Sequence, residues 1–194
     1  KIIGILGGMG PYATIFFMKK ILDKTPATND REHIHMVVDN NPHIPSRSRA
    51  ILYHENSTLE GMVDSCRRLE RYPVDIIVLP CNSACYWIKE IQRRVKVPVI
   101  NIIEIATEDL FSHRHYYRVT ALGGMVTYNK DTYKQSIEKF GAEYIKIDPE
   151  DQNTVVEFIE AVKLAGSENQ LKKPFSDFIS TLQKKYRIDA AILA

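Results

Sequence analysis

The sequence predicts an α/β protein made of two tandem units whose parallel sheets are covered on both faces. Two observations carry that prediction. Short, continuous apolar runs alternate along the chain with segments of helical apolar spacing, the pattern of strands buried on both faces and joined by crossover helices. Two segments also recur at nearly the same interval. "ILGGM" at Ile5–Met9 returns as "ALGGM" at Ala121–Met125, with Gly7 and Gly123 116 residues apart. "YPVDIIVLP" at Tyr72–Pro80 returns as "YRIDAAILA" at Tyr186–Ala194, 114 residues on. Such similar offsets read as one α/β unit present twice, residues 1–98 forming the first and 99–194 the second.

Taken in order, "IIGIL" is a short apolar strand stopped by glycines, and Pro11 suits the first turn of the helix that follows. Ile15, Met18, Ile21 and Leu22 give that helix its apolar spacing. "HIHMVVD" is a second strand, and "NNPHIPSRSR", with two prolines, is a loop. Leu59, Met62, Val63, Cys66 and Leu69 form one helical stripe. "DIIVLP" is a third strand, Trp87, Ile88, Ile91 and Val95 mark a helix beginning near Ala84, and "VPVINII" is a fourth strand. In the second half "RVTALGG" is a strand, Asp131 to Phe140 a helix stopped by Gly141, "EYIKI" a strand, 155–165 and 175–186 helices, and "IDAAIL" a strand.

Composition narrows the function. The chain has 194 residues, 44% hydrophobic and 26% charged, with a formal net charge of +2. That charge is too small, and the basic residues too scattered, to argue for nucleic acid. No apolar run is long enough to span a bilayer. Three cysteines cannot all pair within one chain and have no zinc-like spacing, so they read as thiols in a reducing compartment, the cytoplasm. His33 and His35 fall on one face of the second strand, and His113 and His115 in a polar turn; they read as solvated side chains rather than metal ligands.

The chemistry concentrates at strand ends. In open parallel sheets, ligands bind beyond the carboxyl ends of the strands. Cys81 stands there, just ahead of a helix N-terminus that favours an anion, so it reads as a candidate thiolate. Small neighbours leave room for a ligand, and Asn82 has an amide to offer it. Cys66 lies on an apolar stripe and reads as packing, while Cys85, four residues after Cys81, leaves a redox pair open. Gly7, Gly8 and Gly10 end the first strand and let backbone approach a ligand. Arg47, after the second strand, is a natural carboxylate clamp. Gly8 to Ala13 also fits the G-x-G-x-x-A dinucleotide fingerprint, with Asp39 as a ribose-binding acid, though Asp39 lies 31 residues past Gly8, beyond the usual spacing of about 20. The second echo pairs Cys81 with position 195, one past the last residue, in a sequence that ends inside a strand; a functional residue is expected there.

At this point the motifs "IGILGGMGPYAT", "VVDNNPHIPSR", "VLPCNSA" and "VPVINIIE" together resemble the aspartate/glutamate racemase superfamily, in particular its aspartate racemase branch, and "TALGGMVTYNKDTY" resembles the start of that family's second domain. The resemblance implies two doubly wound α/β domains related by a pseudo-twofold, with the active site in the cleft between them. It implies a cytoplasmic homodimer acting on a small amino acid, aspartate foremost, with no cofactor, pyridoxal phosphate or metal. Cys81 would take the α-proton as thiolate, and a second cysteine, at position 195, would return a proton to the opposite face. Gly8 and Met9 would line the substrate, Arg47 would bind a carboxylate, and Asn82 and Ser83 would touch the α-carboxylate or amino group. Thr127 would reach the site from the second domain, and Lys163 would pair with the distal carboxylate. Two departures stand out: Cys85 replaces the family's histidine and Ser83 its threonine. The alternatives are a racemase of glutamate or another amino acid, a one-thiol decarboxylase or isomerase of the same superfamily, a non-catalytic amino-acid binder, or a dinucleotide-dependent oxidoreductase using the Gly8–Ala13 loop.

Overall fold

In the computed structural model, which describes residues 1–55, 57–165 and 171–194 and all of their side chains but those of 163–165, the chain divides into two compact units, Lys1–Ile102 and Ile103–Ala194. The first begins with β1 (Ile2–Gly7) and α1 (Pro11–Lys24), whose Pro11 takes the first helical position, where no intrahelical N–H is needed. A 3₁₀ turn, Asp30–Glu32, capped by the Asn29 side chain, leads to β2 (His35–Asn40). Then come α2 (Arg47–Tyr53), α3 (Leu59–Leu69) and β3 (Ile76–Val78). A 3₁₀ helix, Asn82–Trp87, runs into α4 (Ile88–Gln92), and β4 (Val99–Ile100) ends the sheet. All four strands are parallel, in the order β2-β1-β3-β4.

The second unit follows the same plan. After α5 (Ile102–His113) come β5 (Arg118–Leu122), α6 (Met125–Asn129), α7 (Lys134–Glu138) and β6 (Glu143–Tyr144). Next are α8 (Pro149–Ala165), α9 (Lys172–Tyr186) and β7 (Ala190–Leu193). The strands pair in parallel in the order β6-β5-β7, matching β2-β1-β3 strand for strand. Among the described residues no helix is long and apolar enough to cross a membrane.

Burial explains why these segments form. The stripe Met62, Val63, Cys66 and Leu69 of α3 packs with Leu6 of β1, Ile77 of β3 and Ile91 of α4. The second core gathers Leu122, Ile145, Ile147, Val155, Leu182 and Ile188. Each fully buried aliphatic side chain contributes about 1.5–3 kcal/mol of transfer free energy.

Several elements differ from the sequence reading. The unit boundary falls four residues later than expected, because Val99–Ile100 pairs with β3 and completes the first sheet. That strand is only two residues long; the isoleucines after it belong to α5, a helix the apolar run conceals. Asp131 takes a left-handed conformation (φ 47°), which interrupts the helix expected over Asp131–Phe140 and leaves only Lys134–Glu138. His33 closes the 3₁₀ turn outside β2, so it shares no strand face with His35. Arg47 opens a helix instead of lying in a loop, because the Ser46 side chain caps it by accepting from Arg49 N.

The repeat extends to single hydrogen bonds. Ile2 N donates to the Asp75 carboxylate at 2.6 Å, and Asp75 N donates to Ile2 O at 2.9 Å. In the second unit Arg118 N donates to the Asp189 carboxylate at 2.9 Å, and Asp189 N to Arg118 O at 2.8 Å. Each aspartate ties the start of a central strand to the start of its neighbour. The backbone N–H groups of Tyr117 and Arg118 hold the Asp189 carboxyl below the usual carboxylate range. A carboxyl whose folded pKa is depressed stabilises the fold above its unfolded pKa and loses that contribution as pH falls through the folded value. Asp189→Asn is therefore expected to lower the melting temperature most near neutrality, with the gap to the parent closing below about pH 4. Thermal melts across pH check this, and a gap that stayed constant down to strong acid would contradict it.

Candidate active site

Because β2, β1 and β3 run parallel, their C-terminal ends share one edge of the first sheet. From β1 the chain passes through Gly7, Gly8, Met9 and Gly10 into α1. Gly8 has φ +90°, and a Cβ there would lie 2.4–2.6 Å from the Asn41 backbone. A Cβ on Gly7 would lie 2.3–3.0 Å from the Thr14 side chain. The loop thus threads a gap that only glycines pass.

Its backbone is held from several sides. Asn41 N donates to Gly7 O at 3.2 Å. The Thr14 hydroxyl accepts from Gly8 N at 3.0 Å and donates to Gly10 O at 3.1 Å. Arg47 Nη2 donates to Met9 O at 3.1 Å, and Arg47 Nη1 donates to Ile44 O and Pro45 O at 3.3 and 3.1 Å. Arg47 Nε is buried with no hydrogen-bond partner among the described residues. In this state Arg47 braces the loop after β1 against the loop after β2. The Met9 side chain is buried in the core.

On the neighbouring strand, Cys81 lies three residues past the end of β3. The residue is extended (φ −151°, ψ 109°), half-buried, and packed against the first core. Its N donates to Leu79 O at 2.8 Å; its carbonyl accepts from Ala84 N at 3.2 Å and from the Cys85 thiol at 3.6 Å. The helix expected near Ala84 is the 3₁₀ helix Asn82–Trp87, which brings half-buried Asn82 and Ser83 directly after the thiol. α2, carrying Arg47, packs against this helix. The first unit therefore brings Gly8, Met9, Arg47, Cys81, Asn82 and Ser83 to one sheet edge, a thiol beside braced backbone and a cation.

A profile of the Asp/Glu/hydantoin racemase family matches residues 6–194. The chain belongs to that family. As a member it is an isomerase. It is 31% identical over 156 residues to a broad-specificity amino-acid racemase of Bacillus subtilis (strain 168), covering 71% of this chain and 68% of that protein. Its structure is similar to that of an aspartate racemase of Picrophilus torridus, with a TM-score of 0.82 and 28% identity over 98% of this chain and 79% of that one. An aspartate racemase homologue from Pyrococcus horikoshii OT3 shares the fold with a TM-score of 0.79, at 21% identity over 100% of this chain and 84% of that one.

Two other expected site residues of this racemase-family chain belong to the second unit. Thr127 is buried in α6, in the second unit. Lys163 lies in α8, but its side chain is outside the described residues. Asp39, the acid a dinucleotide site would need, is engaged by Arg68 Nη2 at 2.8 Å and Nε at 3.1 Å, and Gly8 N is taken by Thr14. Among the described residues no group of three or more His, Cys, Asp or Glu side chains is placed to hold a metal ion. A cavity of about 500 Å³ in the second unit is lined mostly by apolar side chains, Leu122, Val155, Phe158, Ile159 and Phe175 among them, together with Lys172. Thr14 is the loop-holding residue that the sequence reading passed over; its signal is its place four residues after Gly10.

The three thiols differ sharply. Cys66 is fully buried, and burial pushes its pKa up to about 12. Cys85 is buried and its thiol donates to a carbonyl, while Cys81 is the most accessible of the three; no disulfide joins them. Iodoacetamide at pH 8 is expected to place one adduct on the folded protein, at Cys81, and to reach Cys66 only after denaturation. Peptide mass spectrometry reads the sites, and native labelling of Cys66 ahead of Cys81 would contradict the burial.

Proposed function

We propose that the protein is an amino-acid racemase that interconverts L- and D-aspartate without pyridoxal phosphate or metal, and that Cys81 is the base on one face of the α-carbon. The main support is the place of Cys81: an accessible thiol at the end of a central strand, flanked by a braced glycine loop, in a chain of a racemase family. An α-proton is a weak acid, so its removal needs donors already aimed at the charge that develops on the carboxylate. Backbone N–H groups of the loop after β1, the Asn82 amide and the Ser83 hydroxyl are the groups at this edge that suit that task.

In the reaction, the Cys81 thiolate takes the α-hydrogen as a proton, the electron pair stays on the substrate, and a proton delivered to the opposite face completes inversion. The resemblance assigns that delivery to a second thiol at position 195, which the echo of "YPVDIIVLP" in "YRIDAAILA" matches to Cys81. Arg47 and Lys163 would hold the substrate's carboxylates. A homodimer, which the resemblance also implies, is supported by the apolar side chains that α1 leaves exposed, among them Tyr12 at 77% and Ile15 at 60%.

Proton NMR of L-aspartate and L-glutamate in deuterated water tests the reading. The protein is expected to erase the α-proton signal of aspartate faster than that of glutamate. Cys81→Ser is expected to slow the loss by about 10³-fold or more, as when a group acting on the reacting atoms is removed. Full activity in that variant would sink the assignment. Arg47→Lys separates clamp from brace. If Arg47 shares the distal carboxylate with Lys163, kcat/KM should fall about tenfold more for aspartate than for a monocarboxylic amino acid, since lysine cannot reproduce the fork. Equal losses would leave Arg47 as a brace alone.

A further inference from the structure

We propose that Thr14 is a positioning residue for this reaction, setting which backbone amides of the loop after β1 face the substrate; the proposal rests on the racemase reading above. Thr14 is 2% exposed, in the first turns of α1, so its hydroxyl has no access to bulk water. Its two partners lie on either side of Met9: it accepts from Gly8 N and donates to Gly10 O. With Asn41 N on Gly7 O and Arg47 Nη2 on Met9 O, four polar groups of the loop, Gly7 O, Gly8 N, Met9 O and Gly10 O, are held by three residues. Among the described residues the N–H groups of Met9 and Gly10 have no hydrogen-bond partner. These two amides are left to meet the substrate's α-carboxylate, and the Gly8 amide is withdrawn from it.

Thr14 N also donates to Gly10 O at 3.2 Å, so the hydroxyl's own share is the Gly8 amide. Without that acceptor the Gly8 amide would either be buried unsatisfied or turn outward, straining the neighbouring amides of Met9 and Gly10 out of line. A donor displaced by about 1 Å from a developing charge can cost about 100-fold in rate, because it no longer stabilises the transition state. The second unit shows the same close approach of glycine and threonine. A Cβ on Gly123, after β5, would lie 2.9 Å from the Thr127 hydroxyl oxygen, as one on Gly7 would lie 2.6 Å from that of Thr14. Thr14 touches neither substrate nor thiol in this scheme; it acts through the loop.

The test compares Thr14→Ser, which keeps the hydroxyl, with Thr14→Val, which keeps the shape. On L-aspartate, Thr14→Val should lower kcat about 10- to 100-fold with KM within about threefold, and Thr14→Ser should restore kcat to within about threefold of the parent. A folded Thr14→Val protein with the parent's kcat overturns the proposal, as do equal losses in the two variants, which would mark a packing role. Amide hydrogen exchange at Gly8 gives a readout independent of turnover. Protection in the parent and in Thr14→Ser, lost in Thr14→Val, supports the lock. An unprotected Gly8 amide in the parent overturns it, even if Thr14→Val does not fold. A parent that protects Gly8 but exchanges no α-proton from any amino acid would instead defeat the racemase reading and leave the loop lock standing.

Discussion

A parallel sheet sends every strand toward the same edge, and each chain return must cross a face of the sheet before the next strand can start. That constraint organises both units of this protein. It gathers the loop after β1, the loop after β2 and the segment after β3 at one edge, although they are about 30 to 40 residues apart in sequence. In the first sheet Leu6 and Ile77 lie in the core, with Ile2, Val37 and Val99 packed against it. Chemistry is therefore confined to the strand ends, where polar backbone emerges from the sheet and must be satisfied by something other than a neighbouring strand.

At that edge most of the polar work holds the backbone in place. Arg47, a charged residue with five N–H groups, spends three hydrogen bonds on loop carbonyls, and Thr14 uses both sides of its hydroxyl on the glycine loop. Neither arrangement would suit a loop that must rearrange freely, and both suit one whose amides must already be aimed when charge appears on a substrate. The thiols sort by the same logic. Cys66 and Cys81 have the same side chain, yet one lies on the inner stripe of α3, where burial suppresses its ionisation, and the other at the strand mouth.

Much of this was legible in the sequence, because the signals were periodic or repeated. The stripe from Leu59 to Leu69 has one helical period and one burial pattern, and α3 spans those residues. The echoes of "ILGGM" and "YPVDII" coincide with β1 and β5 and with β3 and β7, down to the matching bonds of Asp75 and Asp189. What stayed hidden had no such signal. α5 starts in isoleucines that run on from β4 and cannot be told from a strand by hydrophobicity alone. The break at Asp131 is a single left-handed residue, and the brace formed by Arg47 joins groups 38 residues apart, so neither leaves a local mark.

The two units also show how one fold supports two different edges. In the first, the loop after the central strand is held by Thr14 from the next helix and by Arg47 from across the sheet. In the second, the carbonyl of Gly123 accepts from Gln152 Nε2 at 2.8 Å, a fully buried amide on α8. A neutral glutamine can be sealed into the second unit at modest cost, whereas Arg47 carries a full charge and stays half-buried at its edge. The repeats share the close approach of a glycine to a threonine, but Gly8 takes φ +90° where Gly124 takes φ −66°, and the electrostatics differ as well. The cationic anchor sits on the unit that has Cys81, where its positive charge suits the carboxylates of the amino acid proposed as substrate.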